Sequence, residues 1–117
     1  MKRTGVAAAV AVALSAAAVA VAPTASADQT IYLLNVTVRP GYNFAGPDAA
    51  LAYGHGICGK IGRGESYAQL TGDVKSDFRT ADEFQASYLI SQASQELCPE
   101  LIWQLRQSAA GYRPPPP

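Results

Sequence analysis

The side chains in this chain that could carry out acid–base chemistry are few. His55 is the single histidine, and its immediate neighbours are Gly54 and Gly56. General acid–base catalysis needs a second group within hydrogen-bond reach of the imidazole, and glycine side chains offer none. We interpret His55 as a surface or capping residue. A catalytic pairing of His55 with a carboxylate is the weaker alternative.

Four acidic residues cluster around one predicted turn between helices: Asp73, Asp77, Asp82 and Glu83. Paired carboxylates could hydrolyse glycosides or bind calcium. The sequence contains no Asp-x-Asp-x-Asp-Gly calcium loop, however, and these positions suit helix caps and solvated helix faces. The serines do not lie in a nucleophile-elbow pattern either. The sequence therefore predicts that the protein is not an enzyme and binds no cofactor or metal.

The first 27 residues are typical of a secretory signal peptide. Residues 1–3 (Met-Lys-Arg) are positively charged, residues 6–22 are almost entirely Ala and Val, and residues 25–27 (Ala-Ser-Ala) are small. Signal peptidase recognises such small residues after an apolar run. A permanent membrane anchor is the alternative, but no basic stop-transfer cluster follows the run. We expect cleavage after Ala27 and a final location outside the cell or in the cell envelope.

The expected mature chain is mildly acidic. Without Lys2 and Arg3, seven basic residues remain against nine acidic ones, a net charge of −2. Nonspecific binding to nucleic acid depends on a basic face that neutralises phosphates. Because Lys and Arg do not cluster in this sequence, we expect no nucleic-acid partner.

The chain has two cysteines, Cys58 and Cys98. In a short exported chain an even number of cysteines indicates disulfide bonding. Free thiols or a metal pair are the alternatives, but a structural zinc site needs four ligands and only one histidine is present. Closing a loop of 40 residues stabilises a fold by roughly 4 kcal/mol on the chain-entropy model. That is comparable to the whole net stability of so small a domain.

Residues 28–38 fit two kinds of secondary structure. Ile31, Leu34 and Val38 have helical spacing, whereas the even-numbered positions from Tyr32 onwards alternate as a half-buried strand would. A strand needs a partner, and no second convincing strand follows. We therefore predict a short helix.

A second helix is predicted to begin at Pro47, which suits the first helical position, and to end at Gly62 and Gly64. Gly54 and Gly56 lie inside it, and each lowers helix stability by about 1 kcal/mol relative to Ala. The two glycines indicate either a close approach of another helix or a local break.

Three more helices follow. Ser66 is the predicted N-cap of the third, residues 80–83 (Thr-Ala-Asp-Glu) form a predicted capping box for the fourth, and Cys98 closes the fourth because Pro99 restricts it. Pro99 then opens a fifth helix that stops at Gly111.

The predicted fold class is all-α. Residues 28–112 form one small domain of four to five short helices stapled by one disulfide, and residues 113–117 form a proline-rich tail in polyproline conformation.

Two blocks of the sequence resemble a known family. They are residues 54–64, with the run Gly-His-Gly-Ile-Cys, and residues 84–99, which end in Leu-Cys-Pro. Together they resemble the small secreted mycobacterial proteins catalogued as domain of unknown function 732. The resemblance implies secretion, a helical fold and a Cys58–Cys98 bond, and it implies no activity.

The aromatic residues are numerous enough to suggest more than a core. Most should be buried, but a surplus around Tyr42, Phe44 and Trp103 could form an exposed adhesive patch. We predict a secreted, non-enzymatic binding module whose partner is an envelope or extracellular protein or a lipid. The alternative is a carrier of a small apolar, lipid-like ligand, which would need a cavity between the helices.

Overall fold

The computed structural model describes residues 24–116, with side chains from Asp28 onwards. The apolar run of the predicted signal peptide, residues 6–22, lies outside the described residues. None of the helices in the described range has the length and hydropathy needed to cross a membrane.

The described residues form five α-helices and contain no strand, which confirms the all-α prediction. In chain order the elements are α1 (Thr24–Val38), α2 (Pro47–Gly62), α3 (Tyr67–Asp77), α4 (Glu83–Leu97), a 3₁₀ turn (Pro99–Leu101) and α5 (Ile102–Ala109). The first helix thus begins just before the expected cleavage point.

The ambiguous segment at residues 28–38 is helical, as predicted. Tyr32 and Val36, four residues apart, are both buried, and the Tyr32 hydroxyl donates a hydrogen bond to the Ala50 carbonyl at 2.9 Å. Leu34 lies between them in sequence and is 61% exposed. A strand would place all three side chains on one side, so the burial pattern follows the helical period and not the alternating one.

Helix α2 continues through both of its internal glycines. A Cβ atom added to Gly54 would lie 2.6 Å from Leu97 Cδ1 and 2.7 Å from the Tyr32 ring, whereas one added to Gly56 would meet nothing within 4 Å. Gly54 is therefore a point of close approach between α2 and its neighbours, and the helix is not broken there. The helix ends where predicted, and Gly64 adopts a positive φ of 93° after it.

The predicted cap of α3 is confirmed. The Ser66 hydroxyl accepts a hydrogen bond from the Gln69 backbone N–H at 3.1 Å, and the Gln69 side chain accepts one from the Ser66 N–H at 2.8 Å. Together these bonds form a reciprocal capping box.

The predicted capping box of α4 is wrong. Asp82 is the N-cap, and its carboxylate accepts from the N–H groups of Phe84 and Gln85 at 3.0 and 3.4 Å. The Glu83 side chain does not reach back towards Thr80, because it forms an ion pair with Lys75 instead. A charged acceptor one residue before the helix satisfies the free N–H groups as well as the expected threonine would.

Helix α4 is the centre of the fold, and α1, α2 and α3 all pack against it. The largest side chains with almost no exposure come from these four helices: Tyr32, Val36, Ile61, Leu70, Thr71, Val74, Leu89 and Ile90. The disulfide between Cys58 and Cys98 ties α2 to the residue after α4, with the two Cα atoms 6.0 Å apart. This confirms the predicted covalent staple.

The tail returns to the body of the domain through Tyr112. Its hydroxyl donates to Glu83 at 2.7 Å, and its ring packs edge-on against Tyr67 with centroids 5.1 Å apart. Residues 113–116 are exposed, and their backbone forms no helix or strand.

Candidate functional site

His55 is exposed on α2, at the edge of a surface depression of about 270 Å³. Asp28, Glu96 and Glu100 line the same depression. Within residues 28–116 the imidazole forms no hydrogen bond or ion pair, so no described side chain orients it.

The four acidic residues considered above serve the structure at separate places. Asp73 pairs with Lys60 at 2.9 Å, and Asp77 accepts a hydrogen bond from the Tyr53 hydroxyl at 2.6 Å. Asp82 caps α4 and Glu83 pairs with Lys75, as described. In the part of the chain that the structure describes, no three His, Cys, Asp or Glu residues are placed to hold a metal ion.

Hydrogen bonding shifts the titration of this polar surface. The pKa of Asp73 is lowered by its hydrogen bonds with Glu65 and Lys60, while the hydrogen bond to Asp73 raises the pKa of Glu65. Burial raises the pKa of Tyr53, and the hydrogen bond to Asp77 raises it further. The carboxylates of Asp73 and Asp77 are therefore already bound to side chains of α2.

The predicted aromatic patch does not exist as one surface. Tyr42 is only 4% exposed, and its hydroxyl donates to the Gln85 carbonyl at 2.5 Å. Burial raises its pKa to about 12. Phe44 is half-buried and packs with Tyr42 and Phe78, with ring centroids 6.0 and 5.7 Å apart.

The expected exposure of Tyr42 is therefore wrong, because the loop between α1 and α2 folds its aromatic rings onto the core. Trp103 differs, since 72% of it is exposed on α5. Its role in binding a partner stays a prediction.

A different apolar surface lies on α1. Ile31, Leu34 and Val38 are 44%, 61% and 69% exposed, and their spacing places them on one side of the helix. Phe84, at the start of α4, is 58% exposed. Together with Trp103 they are the large hydrophobic residues that the described structure leaves exposed.

Side-chain contacts bring α4 alongside this stripe. The Asn35 amide donates to the Gln92 side chain at 2.8 Å, and the Tyr88 hydroxyl donates to the Asn35 carbonyl at 3.3 Å. At the end of α1 the Arg39 guanidinium lies 4.7 Å from the ring centre of Phe84 and 4.6 Å from that of Tyr88. The two helices therefore run antiparallel, with Phe84 beside the end of the stripe.

We call this surface the α1–α4 face and define it by its apolar and polar members: Ile31, Leu34, Asn35, Val38, Phe84, Tyr88 and Gln92. It is uncharged over its whole length, since residues 29–38 and 84–95 contain no Asp, Glu, Lys, Arg or His. Arg39 lies at one end, and Asp28 and Glu96 lie at the other. Depletion of charge around exposed apolar and aromatic side chains is the compositional mark of an interface core.

The helical spacing of Ile31, Leu34 and Val38 could be predicted from the sequence, but their exposure to solvent could not. The same helix carries a second apolar set, Tyr32 and Val36, and only one of the two sets can face the core. The lack of charged residues at positions 29–38 and 84–95 can be seen in the sequence, and it is unusual because charged residues make up 15% of the chain.

Two other depressions lie outside the members of this face. One of about 340 Å³ lies between the end of α1 and the start of α2, where Val36 and Phe44 meet Arg39 and Asn43. One of about 580 Å³ lies where the proline tail crosses the turn between α3 and α4. Both are open to solvent and mix polar with apolar lining.

The fold defines the class: a small all-α protein with one interhelical disulfide. Residues 27–100 match the model of the family described as protein of unknown function, DUF732. Because the match covers most of the chain, the protein belongs to the DUF732 family. No curated protein and no solved structure matches the chain.

Proposed function

We propose that this protein is a non-enzymatic binding module that works outside the cytoplasm and contacts a protein partner through the α1–α4 face. The observation that carries the proposal is the exposure of Ile31, Leu34, Val38 and Phe84 on one uncharged two-helix surface. Single exposed hydrophobic residues are ordinary, but a contiguous group of them in a small domain marks an interaction surface.

The proposed location is supported by two independent features. The first 27 residues have the charge, apolar run and small-residue pattern of a secretory signal. The Cys58–Cys98 bond requires an oxidising compartment if it is to persist. Both features favour action in the cell envelope or the extracellular medium.

A carrier of an apolar ligand has less support. A carrier needs a mostly apolar cavity that encloses its ligand. The centre of this domain is filled by interdigitating side chains such as Leu89 and Ile90, and the depressions described above are open and partly polar. A protein contact fits the exposed α1–α4 face better than a lipid tail fits any of these depressions.

The proposal is tested by affinity capture with the exported protein as bait on envelope and culture-filtrate fractions. Wild type is compared with Leu34→Asp, which puts a charge at the centre of the α1–α4 face. The matched control is Trp103→Asp, which removes another well-exposed apolar side chain, on α5. Melting curves of all three establish that they are folded.

We expect Leu34→Asp to lose a specific retained protein that wild type and Trp103→Asp both keep. A truncated hot-spot residue typically weakens binding by more than about 2 kcal/mol, which is a ~30-fold loss and easily seen in such an experiment. If Leu34→Asp retains the same proteins as wild type, or if only Trp103→Asp loses them, the assignment of the α1–α4 face as the contact surface is refuted. Co-purifying lipid in the mass spectrum would favour the carrier.

A further inference from the structure

The α1–α4 face is bordered by opposite charges at its two ends, and this charge pattern indicates which partner the face can bind. We propose that the face binds a second copy of this chain, with the two α1 helices antiparallel across a twofold axis. The inference rests on the proposed function, because it assumes that this face is a contact surface, and it adds the identity of one partner.

The apolar stripe is complementary to itself when it is reversed. Leu34 lies near the middle of the stripe, between Ile31 and Val38. In an antiparallel pair, Leu34 meets its equivalent close to the twofold axis, and Ile31 of each copy lies near Val38 of the other. A twofold interface of this kind uses the same patch on both copies, so a self-complementary patch is its structural requirement.

The charges at the ends favour the same arrangement. At one end is Arg39, whose guanidinium is held over two aromatic rings and forms no ion pair within the described residues. At the other end Glu96 and Glu100 line the depression next to Asp28, and these carboxylates also form no ion pair among residues 28–116. Antiparallel pairing brings Arg39 of each copy to Glu96 of the other.

Two nearby groups do not upset this charge pattern. Asp82 is at the Arg39 end, but its carboxylate accepts hydrogen bonds from the first N–H groups of α4. Cleavage after Ala27 would add an ammonium group beside Asp28, and Glu96 and Glu100 would still leave this end negative. Parallel pairing would place like charges together at both ends, which is unfavourable.

A membrane surface fits the face less well. Helices that bind anionic lipid surfaces combine an apolar stripe with many Lys and Arg residues on the flanks. Here α1 has no basic residue in its last turn, Arg39 is a single cation at its end of the face, and the expected mature chain carries a net charge of −2.

The size of the face sets the expected strength. Residues 28–39 span about 16 Å along α1, and two neighbouring helices are about 20 Å wide. The product of these two lengths is smaller than the area that each partner buries in a standard stable interface. We therefore expect a weak dimer with a dissociation constant on the order of 10 μM.

Sedimentation equilibrium of the exported, oxidised protein over about 1 to 500 μM tests the proposal, and we expect a monomer–dimer equilibrium. Leu34→Asp should weaken self-association by at least ~10-fold, since it buries two like charges at the axis. Trp103→Asp is the matched control and should change it by less than about 2-fold, because Trp103 lies on α5, outside the face.

A charge-exchange experiment tests the antiparallel arrangement. Arg39→Glu and Glu96→Lys should each associate several-fold more weakly than wild type when studied alone. An equimolar mixture of the two variants places Glu against Lys at one end and Arg against Glu at the other, so we expect it to regain association. Melting curves confirm that both are folded, which matters because Arg39 contacts two rings.

A wild-type chain that stays monomeric at about 500 μM, where even a weak interface should form, would refute the dimer. A Leu34→Asp variant that associates as strongly as wild type would refute it as well. Folded charge variants that fail to pair when mixed would overturn the antiparallel arrangement. A monomeric chain that still retains another protein through Leu34 would refute the dimer alone and leave the proposed function intact. Capture that is indifferent to Leu34 would refute the proposed function.

Discussion

Replacing two glycines of the same helix, one at a time, should change stability in opposite directions. Ala in place of Gly inside a helix stabilises it by up to about 1 kcal/mol, and this gain applies equally to Gly54 and Gly56. The surroundings of the two positions differ. Gly56 faces open space, whereas a Cβ on Gly54 would lie 2.6 Å from Leu97 Cδ1 and 2.7 Å from the Tyr32 ring.

The cost at Gly54 depends on which neighbour can move. Leu97 is half-buried and presents the flexible end of its side chain, so it can rotate away. Tyr32 has no exposed surface, and its hydroxyl is bonded to the Ala50 carbonyl. Overpacking of a filled core costs about 1–3 kcal/mol, and weakening the buried hydrogen bond adds about 1 kcal/mol. After the helix gain, Gly54→Ala should lose about 1–3 kcal/mol.

Thermal unfolding of the oxidised protein, followed by circular dichroism, measures both variants. In a domain of this size 1 kcal/mol corresponds to about 4–8 °C in Tm. We therefore expect Tm to fall by about 4–24 °C for Gly54→Ala and to rise by up to about 4–8 °C for Gly56→Ala. Equal shifts of the same sign would refute the conclusion that α2 is in close contact with Tyr32 at Gly54.

Two further predictions concern the covalent and ionic ties of the fold. Replacing Cys58 and Cys98 together by Ala should lower the free energy of unfolding by about 4 kcal/mol, measured by urea denaturation, and a loss below ~1 kcal/mol would contradict the staple's role. Burial raises the pKa of Glu83, but hydrogen bonds from Lys75 and Tyr112 outweigh it, and the net shift is downward. A lowered pKa in the folded state stabilises the protein above the unfolded value of 4.5, and this contribution is lost as the pH falls through the folded value. Unfolding free energies measured from pH 7 to pH 3 should therefore decline less steeply in Tyr112→Phe than in wild type, and an unchanged slope would count against this pairing.

Much of the secondary structure could be predicted from local sequence because its causes are local. Pro47 fixes the backbone at the start of α2, Ser66 and Gln69 lie close enough in sequence to cap α3 together, and Pro99 prevents α4 from continuing. The pairing of Cys58 with Cys98 was also determined without the fold, because two cysteines allow only one intramolecular bond.

Other features depend on atoms far apart in the chain, and sequence patterns could not decide them. Glu83 lies at a position from which it could cap α4. Its carboxylate is bound instead by Lys75 and Tyr112, which belong to other parts of the chain. The residues around Tyr42 are typical of an exposed loop, yet its ring is buried in the core.

The candidate site illustrates the same division. The sequence determined that residues 29–38 of α1 are uncharged and carry apolar residues at two sets of positions. Packing against α4 decided that Tyr32 and Val36 are buried and that Leu34 and Val38 are exposed. The hydrophobic effect is non-directional, so it does not decide which of two apolar sides of a helix is buried. That choice depends on the shape of the neighbouring helices, which is set only in the tertiary structure.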